Sequence, residues 1–262
     1  MSRHIVMFSG GVGSWAAARR IVDEHGPDNV ICLFTDVLGE DEDTYRFIDD
    51  AIADLGCEYL RLADGRDIWQ VFKDRKFLGN SRQANCSAEL KQKPAREWLK
   101  ANGDPERDVI VIGIDWTETH RIPAVERAYA PYRVEFPMTE YPLMSKATMI
   151  ALAERRGLTP PRLYSMGFSH NNCGGGCVRA GQAQFTHLLR VMPERFAQWE
   201  ANEADVAAHL GKDVAILSET VNGQKRLLPL TVLRQRVESQ PSLLDPDDWG
   251  GCGCFVDYEE TR

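Results

Sequence analysis

The chain has 262 residues, of which 43% are hydrophobic and 27% charged, and its formal net charge is −8. This length fits one large α/β domain, alone or with a small appendage, and the composition is that of a soluble globular protein. The negative charge argues against a broad nucleic-acid footprint, which needs a basic face. No apolar run could span a membrane and the start lacks a signal-peptide core, so a cytoplasmic location is expected.

Strands and helices alternate over about the first 115 residues. Short apolar runs predict four strands, and segments with helical spacing of apolar residues predict the helices between them. This alternation predicts an α/β fold with a Rossmann-like parallel sheet flanked by helices. The predicted strands are residues 5–8, 30–35, 58–62 and 109–112, and the predicted helices are 15–24, 42–55 and 88–101, where Pro94 kinks the last helix or marks its true start.

The pattern changes after this region, where Pro131, Pro137 and Pro142 interrupt it. A helix is expected at residues 145–156, with Ser145 as its cap, and three more helices at 182–191, 193–210 and 229–237. The sequence therefore predicts two parts: residues 1–180, which contain the sheet, and residues 181–262, a helical C-terminal appendage that ends in a Cys-Gly-Cys tail.

A glycine-rich turn stands between the first predicted strand and the first predicted helix. A helix that starts directly after such a turn offers free backbone N–H groups and the positive end of its dipole, so the turn predicts an anion site. It lacks the lysine of a Walker A loop, whereas residues 11–16 fit the dinucleotide fingerprint G-x-G-x-x-A, with Asp36 about 20 residues later. On this segment alone, a nucleotide-phosphate loop and a dinucleotide loop are both open. The turn reads Ser9-Gly10-Gly11-Val12-Gly13-Ser14.

The seven cysteines are unevenly placed. Structural disulfides are not expected in a cytoplasmic chain, and Cys32 and Cys57, in apolar surroundings, are expected to be core residues. Two glycine-flanked pairs remain, and together they could supply four thiolates to one metal centre. A [4Fe–4S] cluster, a Zn²⁺ ion and metal-free redox thiols are all open. The pairs are Cys173 with Cys177 and Cys252 with Cys254.

The glycine-rich turn resembles the PP-loop, S-G-G-x-x-S after a strand, and later segments resemble further motifs of one family in the family's order. The family is that of PP-loop ATP pyrophosphatases and phosphoadenylyl-sulfate (PAPS) reductases, with the adenine nucleotide alpha-hydrolase-like fold. Asp115 stands where the family carries an arginine. The segments are residues 34–36 with 42–47, 86–94, 113–121, 141–143 and 164–173, so the resemblance covers residues 4 to 180.

The resemblance implies an enzyme that binds ATP, or a PAPS-like nucleotide, with Mg²⁺. It implies adenylation of a substrate for sulfur or amine transfer, helped by a cysteine-bound metal centre, which the family context favours as iron–sulfur over Zn²⁺. The nucleotide would contact the loop and residues farther along: Ser9, Gly10, Gly11, Gly13, Ser14, Asp36 and Gly113. The other implied roles are an anion clamp at Lys91 and Arg121, and metal ligands at Cys86, Cys173, Cys177, Cys252 and Cys254.

Two alternatives to an adenylating enzyme stay open. One is a thiol-dependent sulfonucleotide reductase, in which Cys254 would attack the sulfur of PAPS or adenylyl sulfate. The other is a nucleotide-binding module without catalysis. The expected partners are an adenine nucleotide, an unidentified small-molecule or nucleic-acid acceptor, and a thiol or sulfur donor protein, with no membrane partner.

Overall fold

The computed structural model describes residues 2–239 and 247–250. Five parallel strands form one sheet in the order β3-β2-β1-β4-β5. Together with the helices on both faces, this confirms the predicted α/β Rossmann-like class and the four predicted strands. A fifth strand was not predicted, because its three residues, Arg-Val-Glu, form no apolar run. The strands are β1 (Arg3–Phe8), β2 (Val30–Asp36), β3 (Glu58–Ala63), β4 (Asp108–Val111) and β5 (Arg133–Glu135).

Ten α-helices occur among the described residues, together with a separate two-stranded hairpin. The predicted helix at 88–101 is a π-helical segment, Ser87–Gln92, followed by an α-helix in whose first turn Pro94 lies. Pro94 therefore marks the true start, where its missing N–H costs no helical bond. The helices are α1 (Val12–His25), α2 (Glu42–Leu55), α3 (Ile68–Asp74), α4 (Lys93–Asn102), α5 (Ile122–Tyr129), α6 (Lys146–Arg155), α7 (Arg162–Ser165), α8 (Gln182–Val191), α9 (Pro193–Leu210) and α10 (Leu230–Ser239); the hairpin is β6 (Leu217–Val221) with β7 (Gln224–Leu228).

Both faces of the sheet are covered by helices. Along β1, Val6 and Phe8 point into the core that contains α1, α2 and α6, whereas Ile5 and Met7 point into the core that contains α4 and α5. This alternation with apolar residues on both sides is what a parallel sheet between two helical layers requires. The layers hold the ends of the strands in fixed positions, and the candidate site lies there.

A third core joins the helices after residue 180 to an earlier part of the chain. Phe72 of α3 lies in it together with Phe185, Phe196 and Trp199 of α8 and α9. The predicted division at residue 180 stays a prediction. Cys32 and Cys57 lie side by side with their sulfur atoms 3.6 Å apart; Cys32 is fully buried and Cys57 is half-buried. No described helix is long and apolar enough to cross a membrane.

The buried carboxylate of Glu203 holds the C-terminal helices together. Its two oxygens accept hydrogen bonds from the backbone N–H groups of Ile216, at 2.8 Å, and Leu230, at 2.6 Å. Burial raises the pKa of Glu203, while the two hydrogen bonds oppose that rise. The side chain thus ties α9 to both the hairpin and the start of α10.

We expect Glu203→Ala to lower the free energy of unfolding by about 2 to 3 kcal/mol, because it leaves two buried N–H groups without an acceptor. Glu203→Gln keeps one acceptor oxygen and should cost less. Asp205→Asn is the matched control, since this exposed carboxylate of the same helix pairs only with Lys73 at the surface. Urea denaturation measures the three values; equal losses in Glu203→Ala and Asp205→Asn would contradict the role given to Glu203.

Candidate functional site

A cleft of about 490 Å³ opens at the carboxyl ends of β1 and β4. The chain runs from β1 to β2 and β3 on one side and continues with β4 and β5 on the other, so the strand order reverses between β1 and β4. Open α/β sheets bind their ligands in the crevice at such a reversal. Its walls include Ser9, Gly11, Gly13, Ser14, Gly113, Asp115, Glu118, Arg121, Lys146, Tyr164, His170, Asn171, Gln184 and Gly250.

The loop between β1 and α1 is closed by its two serines. The hydroxyl of Ser14 accepts from the backbone N–H of Ser9 at 3.1 Å and donates to the carbonyl of Gly11 at 3.0 Å. Gly10 has a φ of +75°, and a Cβ there would lie 2.8 Å from Cγ2 of Thr44. Glycine is therefore required at position 10 both for its backbone conformation and for the space beside α2.

Helix α1 begins at the cleft without a side-chain cap. Its N-cap residue is Gly11, and no side chain of residues 2–239 or 247–250 caps its first turn. By contrast, Asp41, Asp67 and Ser145 cap the starts of α2, α3 and α6. The first N–H groups of a helix have no partner within the helix and carry the positive end of its dipole. A ligand with anionic oxygens would satisfy them at this wall of the cleft.

Two cations line the cleft. Arg121, predicted as part of an anion clamp, lies there in an ion pair with Glu118 at 2.6 Å. Lys146, the first residue of α6, has its Nζ 5.7 Å from the centre of the Tyr164 ring and close to the space beside Gly13. Sequence reasoning identified the neighbouring Ser145 as a cap but missed Lys146, because only the packing of α6 beside α1 brings this lysine to the loop.

Two polar side chains on the cleft wall carry buried atoms that have no hydrogen-bond partner among the described residues. Asn171 donates to the carbonyl of Gly10 at 3.1 Å and to the hydroxyl of Thr44 at 3.0 Å, while its Oδ1 is unpartnered. Nδ1 of His170 is also unpartnered, and burial lowers the pKa of this histidine, which keeps the ring neutral at pH 7. Buried polar atoms are nearly always paired, so both atoms are sites for polar groups of a ligand.

The loop after β4 approaches the loop after β1 closely. A Cβ on Gly113 would lie 3.3 Å from both the carbonyl oxygen of Gly13 and Cα of Ser14. Glycine at 113 thus lets the two walls of the cleft meet. Of the residues predicted to bind nucleotide, Ser9, Gly11, Gly13, Ser14 and Gly113 line the cleft, and Gly10 supports it from behind.

The structure places Asp36 away from the cleft lining and surrounds it with protein groups. Its Oδ2 accepts from the guanidinium of Arg61, and its Oδ1 accepts from the Tyr45 hydroxyl and the backbone N–H of Leu38, both at 2.8 Å. These contacts occupy both oxygens and fix the end of β2. The nucleotide contact implied for Asp36 stays a prediction.

Lys91, the other member of the predicted anion clamp, is 3% exposed and pairs with Glu40, with 3.2 Å between Nζ and Oε1. The second oxygen of Glu40 accepts from the backbone N–H of Cys173. Lys91 is thus part of a buried contact that joins the π-helical segment to the cysteine loop, and it is not among the residues that line the cleft.

Comparison with known proteins adds a likeness of fold. No family model matches the sequence, and no curated protein matches it. Among solved structures, the chain is similar to phosphoadenylyl-sulfate (PAPS) reductase from Candida auris in a phosphate complex. The two share 15% identity over 63% of this chain and 78% of that chain, with a TM-score of 0.46.

Three of the predicted metal ligands, Cys86, Cys173 and Cys177, lie in one buried core. The backbone of Cys173 is left-handed, with a φ of 54°, and the next two glycines follow with φ of 60° and 85°. Left-handed backbone at a residue other than glycine is uncommon and clusters at functional sites. The hydrogen bond with Cys177 and burial raise the pKa of the Cys173 thiol, so it is protonated at pH 7 unless a cation binds.

The three sulfur atoms do not fit a single zinc ion as they are placed. Among the described residues, only His4, His25 and Glu135 form a group of three whose ligand atoms all lie within 4.8 Å of one another. Four Zn–S bonds of 2.3 Å in a tetrahedron need sulfur atoms about 3.8 Å apart. At least two of the sulfurs of Cys86, Cys173 and Cys177 are therefore too far apart for one Zn²⁺.

The described segment 247–250 packs beside the start of α8 and reaches the cleft at Gly250. Gly250 pairs with Ala180 and lines the cleft, and Asp248 accepts from the backbone N–H of Gln182 at the start of α8, at 3.0 Å. Cys252 and Cys254 themselves, predicted as metal ligands and, for Cys254, as a nucleophile, lie outside the described residues.

Proposed function

We propose that the cleft binds the phosphates of an adenine nucleotide and that the protein is an enzyme which adenylates an acceptor. The observation that carries this proposal is the uncapped start of α1, which faces a cleft at the reversal of strand order. A phosphate chain would accept from the N–H groups of Gly11, Gly13 and Ser14.

The remaining groups of the cleft suit the rest of such a ligand. Lys146 and Arg121 would neutralise phosphate charge, and the unpartnered Oδ1 of Asn171 would bond to the base or the ribose. The volume of the cleft lies in the range of small-molecule and cofactor sites. Asp115 also lies on the cleft wall, so its carboxylate could hold the Mg²⁺ that accompanies ATP, since Mg²⁺ prefers oxygen ligands and keeps several waters.

The proposed reaction has two steps. An oxygen of the acceptor attacks the α-phosphorus of ATP, and pyrophosphate leaves as the bond between that phosphorus and the bridging oxygen breaks. A sulfur or amine nucleophile then displaces AMP from the activated acceptor and gives up its proton. The neutral ring of His170, with Nδ1 free on the cleft wall, is suited to accept that proton. The protein otherwise contributes positioning and charge neutralisation.

The buried cysteines would hold a metal centre beside this cleft. Thiolates from Cys86, Cys173 and Cys177, with Cys252 and Cys254 of the tail as further candidates, match the donor set of an iron–sulfur cluster. The resemblance to the PP-loop family favours a cluster, in which each iron binds a different thiolate, over one Zn²⁺ ion. The cluster would supply sulfur or electron chemistry, and the hydrogen bond from the Cys173 N–H to Glu40 would hold the cysteine loop in place around it.

Calorimetric titration of the anaerobically purified protein with Mg·ATP, pyrophosphate, PAPS and NADH tests the proposal. We expect ATP and pyrophosphate to bind and NADH not to bind. Binding of PAPS alone, with sulfite release in the presence of a thiol, would overturn the proposed adenylating enzyme in favour of a sulfonucleotide reductase. Binding of NADH alone would favour the dinucleotide alternative and overturn the proposal.

We expect Lys146→Met to raise the Kd for ATP about tenfold, because it removes a charge-assisted contact worth about 1.5 kcal/mol. The loss should shrink as salt is added, since this lysine is exposed. Lys225→Met, which removes the same charge from the distant hairpin strand β7, is the control and should leave the Kd unchanged. Equal effects of the two variants would show that Lys146 acts only through the net charge of the protein.

A further inference from the structure

A second cluster of ligand-type side chains lies far from the cleft, on the face of the sheet that α1 covers. His4 lies near the start of β1, His25 is the last residue of α1, and Glu135 is the last residue of β5. One ligand atom from each lies within 4.8 Å of the other two. Because α1 starts at the cleft and its 14 residues span about 20 Å, the cluster and the nucleotide site are separate.

His4 is the unusual member of this cluster. It is 1% exposed, and within the described part of the chain neither of its ring nitrogens makes a hydrogen bond that satisfies ordinary geometry. Its Nε2 lies 3.8 Å from Oε2 of Glu135, which is too long for a hydrogen bond. A tetrahedral Zn²⁺ with bonds of about 2.1 Å holds a nitrogen and an oxygen about 3.4 Å apart, so a bridging ion accounts for this spacing better than a direct bond does.

From this geometry we infer that His4, His25 and Glu135 bind a divalent transition-metal ion of the Zn²⁺ class, with one coordination position left to water. Two imidazoles and one carboxylate are a common protein ligand set for Zn²⁺. Burial lowers the pKa of His4 to about 4, so its ring is neutral, as a ligand must be. The backbone of Asn29 lies beside the ring and would orient it by accepting from the nitrogen that does not bind the metal.

The surroundings allow the ion to enter. The rings of His4 and His25 are stacked, with their centres 4.0 Å apart, so His25 must rotate to direct a lone pair at the ion. His25 has a side chain 32% exposed at the end of α1, where rotation meets little resistance. Arg133 contacts Oε1 of Glu135 and leaves Oε2 directed at His4. Glu24, next to His25, adds negative charge near the site.

Titration of the full chain with Co²⁺, followed by competition with Zn²⁺, tests this inference. Co²⁺ reports its ligands by visible absorption, and a site of nitrogen and oxygen ligands lacks the intense thiolate band that the cysteines would give. We expect His25→Gln and Glu135→Gln each to weaken one equivalent of binding at least tenfold, and Zn²⁺ to raise the Tm of the wild type by more than that of either variant.

Asp23→Asn is the matched control and should keep wild-type affinity, because this exposed carboxylate of α1 pairs with Arg19 and not with the proposed ligands. His4→Gln changes a buried residue. Its metal affinity is therefore interpreted only if its circular dichroism spectrum matches that of the wild type. Unchanged Co²⁺ affinity in both His25→Gln and Glu135→Gln would overturn the inference, as would a wild-type spectrum in which every bound equivalent carries the thiolate band.

Discussion

Gly13→Asp is expected to weaken ATP binding by at least about 100-fold while leaving the fold intact, a loss of about 2.8 kcal/mol in binding free energy. The new carboxylate would stand in the first turn of α1, where the phosphates are proposed to bind, and it would also attract Lys146. A Cβ at this position has room, since the nearest atom is the Nζ of Lys146 at 3.9 Å. An acidic residue at a helix start stabilises the helix by about 0.3 to 1 kcal/mol, so the Tm should not fall.

The neutral isostere separates charge from size. Gly13→Asn adds a side chain of the same shape without the negative charge, and it should keep most of the affinity that Gly13→Asp loses. Calorimetric titration with Mg·ATP measures both variants, and thermal unfolding verifies the fold. Equal Kd values for wild type and Gly13→Asp would mean that the nucleotide phosphates do not bind at the start of α1.

Lys91→Met is expected to lower the free energy of unfolding by about 3 to 5 kcal/mol, because it leaves the buried carboxylate of Glu40 without the lysine's charge. Adding Glu40→Gln should recover much of this loss, since the double variant no longer buries an unpaired charge. The double-mutant cycle, measured by urea denaturation, gives the coupling between the two side chains. If the double variant loses as much free energy of unfolding as the two single variants together, Lys91 and Glu40 do not stabilise each other.

Lys93→Met is the matched control for this experiment. Lys93 is exposed two residues away, and its removal should change the free energy of unfolding by less than about 0.5 kcal/mol. The same variants test the predicted anion clamp. Because Lys91 does not line the cleft, the folded Lys91→Met protein should bind ATP within about twofold of wild type. A loss of ATP affinity as large as that expected for Lys146→Met would instead indicate that Lys91 contacts the nucleotide.

The fold could be predicted largely from local signals. Apolar runs identified four strands, and the glycine-rich turn identified the first helix, although α1 begins at Val12 and not at the predicted residue 15. Buried parallel strands and phosphate loops leave a mark within a few residues. Strand β5 has no such mark: its sequence is Arg-Val-Glu, and it is a strand only because β4 lies beside it. Pro94 marked a helix start correctly because proline acts through its own backbone.

The candidate site could be predicted only in part, since its remaining contacts join distant segments. Lys91 and Asp36 were implied as ligand contacts by motif position, yet their partners, Glu40 and Arg61, come from other parts of the chain. Lys146 carried no motif and reaches the cleft through helix packing. No spacing rule could have paired His4 with Glu135, which are 131 positions apart and meet across the sheet. Tertiary contacts of this kind are absent from local sequence patterns.

Amide chemical shifts of the isotope-labelled protein during titration with pyrophosphate test the central claim most directly. Pyrophosphate contains the anionic group alone, so it reports the phosphate site without the base or the ribose. We predict that the largest shifts belong to Gly11, Gly13 and Ser14, with smaller shifts at Gly113, and that these shifts vanish in Gly13→Asp. Saturable shifts confined to other residues, or no shifts at millimolar pyrophosphate, would contradict a phosphate site at the start of α1.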